Sequence, residues 1–187
     1  MPTIPTVRTS RLTLRPLLST DAEPLYKIYQ VEGVLQYFPN PSPPPLENVK
    51  RFVTAQETHW GKYNYGNWGI LPHGEEDIIG WAGLQFLPET NEIEVGYLLN
   101  RLFWGQGFAT ESALASLEFG FQHLSLDQII ALVHPDNIAS IRVIENCGMS
   151  WVDQKVYFGI NLMRYRIYAS EYQDLILPKR KSILWII

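Results

Sequence analysis

The sequence predicts a mixed α/β domain, and three observations carry that prediction. Residues 68–99 fall into short apolar runs separated by turn residues, the pattern of an antiparallel meander. Residues 108–122 place Ala109, Ala113, Leu114, Leu117 and Phe121 at helical spacing between two such runs. The strand, helix, strand succession over residues 92–133 requires one parallel crossover. With 187 residues, 46% of them hydrophobic, the chain is long enough for one compact unit with a sizeable core and too apolar to be disordered as a whole.

Taken in order, Leu12-Thr13-Leu14-Arg15 alternates apolar and polar as a half-buried strand does. Thr20 and Glu23 have capping-box spacing before a helix that turns Leu25, Ile28 and Tyr29 to one side, with Pro24 in its first turn. Pro39-Asn40-Pro41-Ser42-Pro43-Pro44-Pro45, five prolines in seven residues, is a stiff surface loop. A second helix over residues 46–60 faces Val49, Phe52 and Val53 inward. Strands follow at 68–71, 78–87 and 92–99, with Gly80, Gly83 and Gly96 marking bulges or close backbone approach. After the helix at 108–122 come a strand at 128–133, a helix at 138–147 ended by Gly148, and strands at 150–157 and 160–168.

Composition excludes several functions. Fifteen Lys and Arg against 19 Asp and Glu give a net charge of −4, which offers polyanions no general attraction and argues against nucleic acid. The single cysteine, Cys147, rules out an intrachain disulfide and a four-cysteine zinc site, and suits a reducing compartment, so a cytoplasmic location is expected. Neither an export signal nor a membrane span of ~18 apolar residues is legible. His59, His73, His123 and His134 lack metal-ligand spacing, so no metal is expected.

Two segments carry the chemistry. Arg101-Leu102-Phe103-Trp104-Gly105-Gln106-Gly107-Phe108-Ala109-Thr110-Glu111 is a glycine-bearing turn between a strand and an amphipathic helix. It either presents unpaired amides at a positive helix end to a phosphate or simply makes a tight connection. No lysine follows Gly107, as a P-loop demands, and Thr110 stands where a dinucleotide fingerprint needs its third glycine. In the second segment, Asn137 offers an N-cap, Ser140 falls one turn in, and Gly148 terminates the helix. Asn137 and Ser140 are either plain capping residues or ligand contacts at the strand's C-terminal edge.

The turn from Trp104 to Glu111, followed by Asn137-x-x-Ser140-Ile141-Arg142 and Cys147-Gly148-Met149, resembles the acyl-CoA-binding signature of the GNAT superfamily of N-acetyltransferases. Thr9-Ser10-Arg11-Leu12-Thr13-Leu14-Arg15 and Glu94-Val95-Gly96-Tyr97 further resemble the RimJ/RimL branch, which acetylates ribosomal-protein N-termini. The resemblance covers about residues 9–168. It implies a bent, mostly antiparallel sheet splayed in the middle and flanked by helices. Acetyl-CoA, as cosubstrate, would lie between the strands at 94–99 and 128–133. Its diphosphate would rest on the amides of Trp104, Gly105, Gly107, Phe108 and Ala109, with Asn137 on the pantetheine arm and Ser140 beside the thioester sulfur. One acetyltransferase domain at 1–170 and a tail at 171–187 follow. Two positions depart from the pattern. Leu102 replaces a Gln or Arg, and Ile144 replaces a tyrosine general acid, which leaves Ser140 or water to donate the proton.

Acetyl transfer to an amine needs a neutral nucleophile and a stabilised leaving thiolate. Glu92 and Glu94 share a strand face, where like charge raises a carboxyl pKa. Glu94 is assigned as general base, or as the group that binds the cationic amine, against the alternative of two ordinary carboxylates on a solvated face. Glu92, Tyr37 and Phe38 are expected to line the acceptor site, and a backbone amide near Val133 to polarise the carbonyl. The acceptor is first a protein N-terminal amine, then a small amine such as a polyamine, an amino acid or an antibiotic. A non-catalytic acyl-CoA-binding module is the reading from another class. The tail, with its Lys179-Arg180-Lys181 triplet and apolar end, can dock on the body, on a second subunit in a homodimer, or on an anionic membrane surface.

Overall fold

The computed structural model describes residues 4–176 and 184–186. Strands β1 (Thr6–Arg8), β2 (Leu12–Pro16), β3 (Asn67–Pro72), β4 (Gly80–Leu87), β5 (Glu92–Leu99), β6 (Gln128–Val133), β7 (Ser150–Tyr157), β8 (Ile160–Tyr168) and β9 (Leu184–Ile186) form one sheet. Their spatial order is β7-β8-β6-β5-β4-β3-β2-β1-β9. Among the described residues every neighbouring pair is antiparallel except β5 and β6, the crossover the sequence requires.

Helices cover both faces. On one face α1 (Ala22–Tyr29) and α2 (Leu46–Tyr63) bury Leu25, Ile28, Val49 and Val53 against Ile78, Trp81 and Leu98. On the other, α3 (Phe108–Gln122) buries Ala113, Leu117, Phe119 and Phe121 against Leu14, Trp68, Leu84, Val95 and Ile129. Strand alternation explains the division: along β5, Val95 and Leu99 point to the α3 side while Leu98 points to the α1 and α2 side. The smaller α4 (Ile138–Asn146) sits beside α3 and ends at Gly148, which adopts φ +80° as the terminator position demands.

Three local expectations need correction. Thr20 and Glu23 form no capping box. Ser19–Asp21 is a 3-10 turn, and Asp21 does the local work by accepting the Leu18 amide at 2.7 Å and both ends of the Arg15 guanidinium at 2.7 and 2.8 Å. Helix α2 runs past Trp60 to Tyr63 and stops at Asn64, whose φ of +59° turns the chain while its amide donates to the Trp60 carbonyl at 2.8 Å. Third, β1 and β9 are too short for periodicity to reveal. Strand β9 pairs antiparallel with β1, Thr6 opposite Ile186, whereas the basic triplet of the tail lies outside the described residues.

The Arg15–Asp21 pair is a largely buried ion pair, with Asp21 only 5% and Arg15 20% exposed at the side chain. Asp21→Ala is expected to cost about 3 kcal/mol in urea unfolding, because it strands a half-buried guanidinium and frees the Leu18 amide.

Candidate active site

Strands β5 and β6 meet at a single register pair, Glu94 opposite Ile130, and their ladder ends there. Glu94 occupies the point of separation. Its Oε1 accepts the amide of Leu132 at 3.1 Å, where a backbone carbonyl would otherwise continue the ladder, and its Oε2 accepts Gln85 Nε2 at 2.6 Å from the neighbouring strand. The side chain is almost wholly enclosed, at 8% exposure. Burial pushes its carboxyl up to about 7 against the opposing pull of the two hydrogen bonds. The cause is desolvation and not, as the sequence suggested, repulsion from Glu92. That residue faces Arg164 on β8, which donates to its Oε1 at 2.8 Å and neutralises it.

At the far end of β5 the chain makes a 3-10 turn over Arg101–Phe103 and enters α3 through Gly105 and Gly107, at φ +73° and +81°. A side chain would be strained at either position, and the space a Cβ would take on Gly105 is open. The amides of Gly105, Gly107, Phe108 and Ala109 have no protein acceptor among the described residues. They sit at the N-terminus of a 15-residue helix, a cradle suited to a diphosphate. Trp104 is the exception to the expected set: its amide closes the preceding turn on the Arg101 carbonyl at 3.2 Å, and its indole donates to the Leu99 carbonyl at 2.9 Å.

A clasp that sequence reasoning missed holds this cradle. Glu111, in the first turn of α3, accepts Thr9 Oγ1 at 2.6 Å, Ser10 Oγ at 3.0 Å and the Arg11 amide at 2.9 Å on one oxygen, and Arg11 Nε at 2.7 Å on the other. Burial pushes the Glu111 carboxyl up, but the bonds from Thr9, Arg11 and Ser10 outweigh it and hold it below the ordinary carboxylate range. Arg11 then donates to the Gln106 carbonyl at 2.8 Å and lies over the Phe108 ring, 4.6 Å from its centroid. The Thr9-Ser10-Arg11 motif therefore fixes the carbonyl between the two turn glycines.

Across the separation from the cradle, Asn137 Oδ1 caps α4 by accepting the Ser140 amide at 3.1 Å. Ser140 Oγ lies 2.6 Å from the hydroxyl of Tyr97 on β5, a pair that the sequence did not suggest. Burial pushes the Tyr97 hydroxyl well above its ordinary value, so it stays protonated. Ile144 is packed in the core, 3% exposed, and supplies no polar group. Leu102 is 79% exposed, and the adjacent Arg101 turns away to the Glu32 carbonyl at 3.1 Å. Val133 does not present its amide to β5. Successive strand amides point to opposite sides, so with Leu132 directed at Glu94 the Val133 amide faces β8, where Val133 stands opposite Met163. The amide at the separation is that of Leu132.

The three residues expected to line the acceptor site do not share one place. Tyr37 stacks on His134, just past the end of β6, with ring centroids 5.3 Å apart. Phe38 lines a cavity of about 330 Å³ under the proline-rich loop. Glu92 borders a separate polar cavity of about 560 Å³ with Arg164, Lys155 and Tyr157.

An acetyltransferase (GNAT) domain profile matches residues 11–150, more than half of the chain. The chain belongs to the GNAT acetyltransferase family. N-acetyltransferase YnaD of Bacillus subtilis, itself uncharacterized, is 29% identical over 143 residues, covering 76% of this chain and 81% of that protein. An acetyltransferase of Agrobacterium tumefaciens superposes with a TM-score of 0.77 at 27% identity, covering 90% of this chain and 96% of that one. RimL, a ribosomal L7/L12 alpha-N-protein acetyltransferase solved with coenzyme A, shares the fold at a TM-score of 0.73 and 16% identity, covering 86% and 95%.

GNAT enzymes use acetyl-CoA, and the open amides with the unblocked space at Gly105 fit a diphosphate. Among the described residues of this GNAT acetyltransferase no three His, Cys, Asp or Glu side chains converge as a metal site, and no helix is long and apolar enough to cross a membrane. Because Arg11 supports the cradle, Arg11→Ala is expected to raise the acetyl-CoA KM about tenfold while kcat stays within about twofold, measured by initial rates of thiol release.

Proposed function

We propose that this enzyme acetylates a primary amine, with a protein N-terminal α-amine as the acceptor, and that Glu94 is its general base. The observation that carries the proposal is the enclosed Glu94 carboxyl at the point where β5 and β6 part, raised to about 7. An α-amino group of pKa about 7.7–8.0 is roughly one-tenth neutral at pH 7, whereas a lysine near 10.4 is neutral in only about one molecule in a few thousand. A base poised near neutrality matches the first acceptor far better than the second.

Acetyl-CoA supplies the acetyl group as an activated thioester. Gly105, Gly107, Phe108 and Ala109 hold its diphosphate through their amides, and the half-buried Asn137, with its Oδ1 committed to the cap, has its amide nitrogen left for the pantetheine arm. Glu94 receives the proton of the acceptor ammonium and orients the resulting amine. As the amine nitrogen bonds the carbonyl carbon and the C–S bond breaks, Ser140 Oγ gives its proton to the departing sulfur and takes the remaining ammonium proton of the adduct, while the Tyr97 hydroxyl, 2.6 Å away, keeps its own proton and holds the Ser140 oxygen in place. This hydroxyl pair supplies the acid function missing at Ile144, which favours a working enzyme over a module that only binds acyl-CoA.

Glu94→Gln is expected to lower kcat at least about a hundredfold with the acetyl-CoA KM within about threefold. In the wild type, kcat/KM should rise with pH through an apparent pKa near 7 and level off above it, since the carboxylate is the active form. That limb should vanish in Glu94→Gln; an unchanged pH profile in the variant would remove Glu94 from the role. Tyr97→Phe and Ser140→Ala are each expected to lower kcat about tenfold or more with little change in the acetyl-CoA KM, and equal rates would return Ser140 to capping alone.

A further inference from the structure

The loop that joins α1 to α2 is fixed to the part of the sheet built from β1 to β5. Val34 and Leu35 are buried in the core that α1 and α2 share with Trp81 and Leu98. The Glu32 carbonyl accepts Arg101 at 3.1 Å, which ties the loop to the turn leaving β5. The Phe38 amide donates to the Leu35 carbonyl at 2.9 Å, so the half-buried Tyr37 sits inside a closed turn before the proline run begins.

Across the opening, His134 directly follows the last residue of β6 and organises the turn into α4. Its carbonyl accepts the Asn137 amide at 2.9 Å, and its ring Nδ1 accepts the Asp136 amide at 3.2 Å. Asn137 then caps the Ser140 amide at 3.1 Å. The imidazole is thus part of the turn that carries Asn137 and Ser140, and a shift of the ring shifts both. The Tyr37 ring stacks on it, with centroids 5.3 Å and planes 27° apart. On the other face, Tyr97 alternates with Val95 and Leu99 toward α3 and meets Ser140 Oγ at 2.6 Å. The segment from His134 to Ser140 is therefore gripped on both faces, each time by an aromatic side chain carried by the β1 to β5 half.

We infer that Tyr37 and His134 are positioning residues, and that their stack fixes how far Ser140 stands from Glu94. Among the described residues no backbone pair joins β5 to β6 beyond Glu94 and Ile130, so side chains have to set that span. Reacting groups misplaced by about 1 Å can lose up to about a hundredfold in rate. Neither ring touches the reacting atoms in this account. Their effect passes through the turn to Ser140, while the amides that hold the diphosphate belong to the other half. The inference rests on Glu94 and Ser140 serving the two ends of the transfer.

Thiol release from acetyl-CoA tests it, with pentapeptides bearing free N-termini and small primary amines as acceptors. With the acceptor that gives the fastest release, Tyr37→Ala is expected to lower kcat about tenfold and leave the acetyl-CoA KM within about threefold. Tyr37→Phe, which keeps the ring and loses only the hydroxyl, should stay within about twofold of the wild type. In a Ser140→Ala background, Tyr37→Ala should cost less than about twofold more, because the two changes act on one group. A wild-type kcat in Tyr37→Ala, a Tyr37→Phe as slow as Tyr37→Ala, or losses that multiply in full in the double variant each overturn the positioning role. If Ser140→Ala itself runs at the wild-type rate, the proton-donor assignment fails first and takes the inference with it. A loss in Ser140→Ala without one in Tyr37→Ala removes the stack alone. Absence of release with every amine sinks the amine-transfer reading, and the inference falls with it.

Discussion

The arrangement depends on one interruption of a hydrogen-bond ladder. Two parallel strands that stayed paired along their length would bury their facing backbone groups and leave no room between them. Here the ladder of β5 and β6 stops after Glu94 and Ile130, and a side-chain carboxylate takes over the Leu132 amide. Without that substitution the amide would be a buried donor lacking a partner, at a cost of about 1–3 kcal/mol. The same group that ends the ladder is thereby enclosed, and enclosure raises its pKa into the range where it can exchange protons near neutrality. Opening of the sheet and the raised pKa of the Glu94 carboxyl have a single cause.

The remaining features arrange themselves around that opening. On the α3 side lie the amide cradle at Gly105 to Ala109, the Asn137 cap and the Tyr97–Ser140 hydroxyl pair. On the α1 and α2 side lies the stiff loop, with Tyr37 stacked on His134. The acidic face of β5 is not a diffuse negative surface. Glu92 is spent on Arg164, which also holds Asp153 at 2.9 Å, whereas Glu94 is enclosed and its carboxyl is pushed up to about 7. The cradle in turn is held by the Arg11–Glu111 ion pair rather than by a lysine inside the turn, with the Arg11 guanidinium fixing the Gln106 carbonyl between the glycines.

Much of this was legible in the sequence, and what was not has identifiable physical reasons. Strong periodicity located α3, β5, β6 and β8 to the residue, and the positions of Gly105 and Gly107 ahead of an amphipathic helix marked the turn whose amides are left open. Periodicity is blind to elements as short as β1 and β9, which are set by pairing between distant segments. Side-chain contacts across more than 40 residues, such as Tyr97 with Ser140 or Arg11 with Glu111, leave no local pattern, although each residue lay within a motif already singled out. The Val133 amide went astray because a one-residue shift on a strand reverses the direction of every backbone donor. Charge repulsion was the wrong cause for Glu94 because Arg164 lies 72 positions from Glu92 and only the folded sheet brings them together.

The central claim is that enclosure at the parting of β5 and β6 tunes Glu94. Carbon-13 NMR titration of the Glu94 carboxyl, assigned by comparison with Glu94→Gln, reads that directly. A midpoint near 7, far above those of the surface glutamates, is the result predicted. A midpoint at the ordinary 4.5 would show a solvated carboxylate and contradict the account of both the opening and the base.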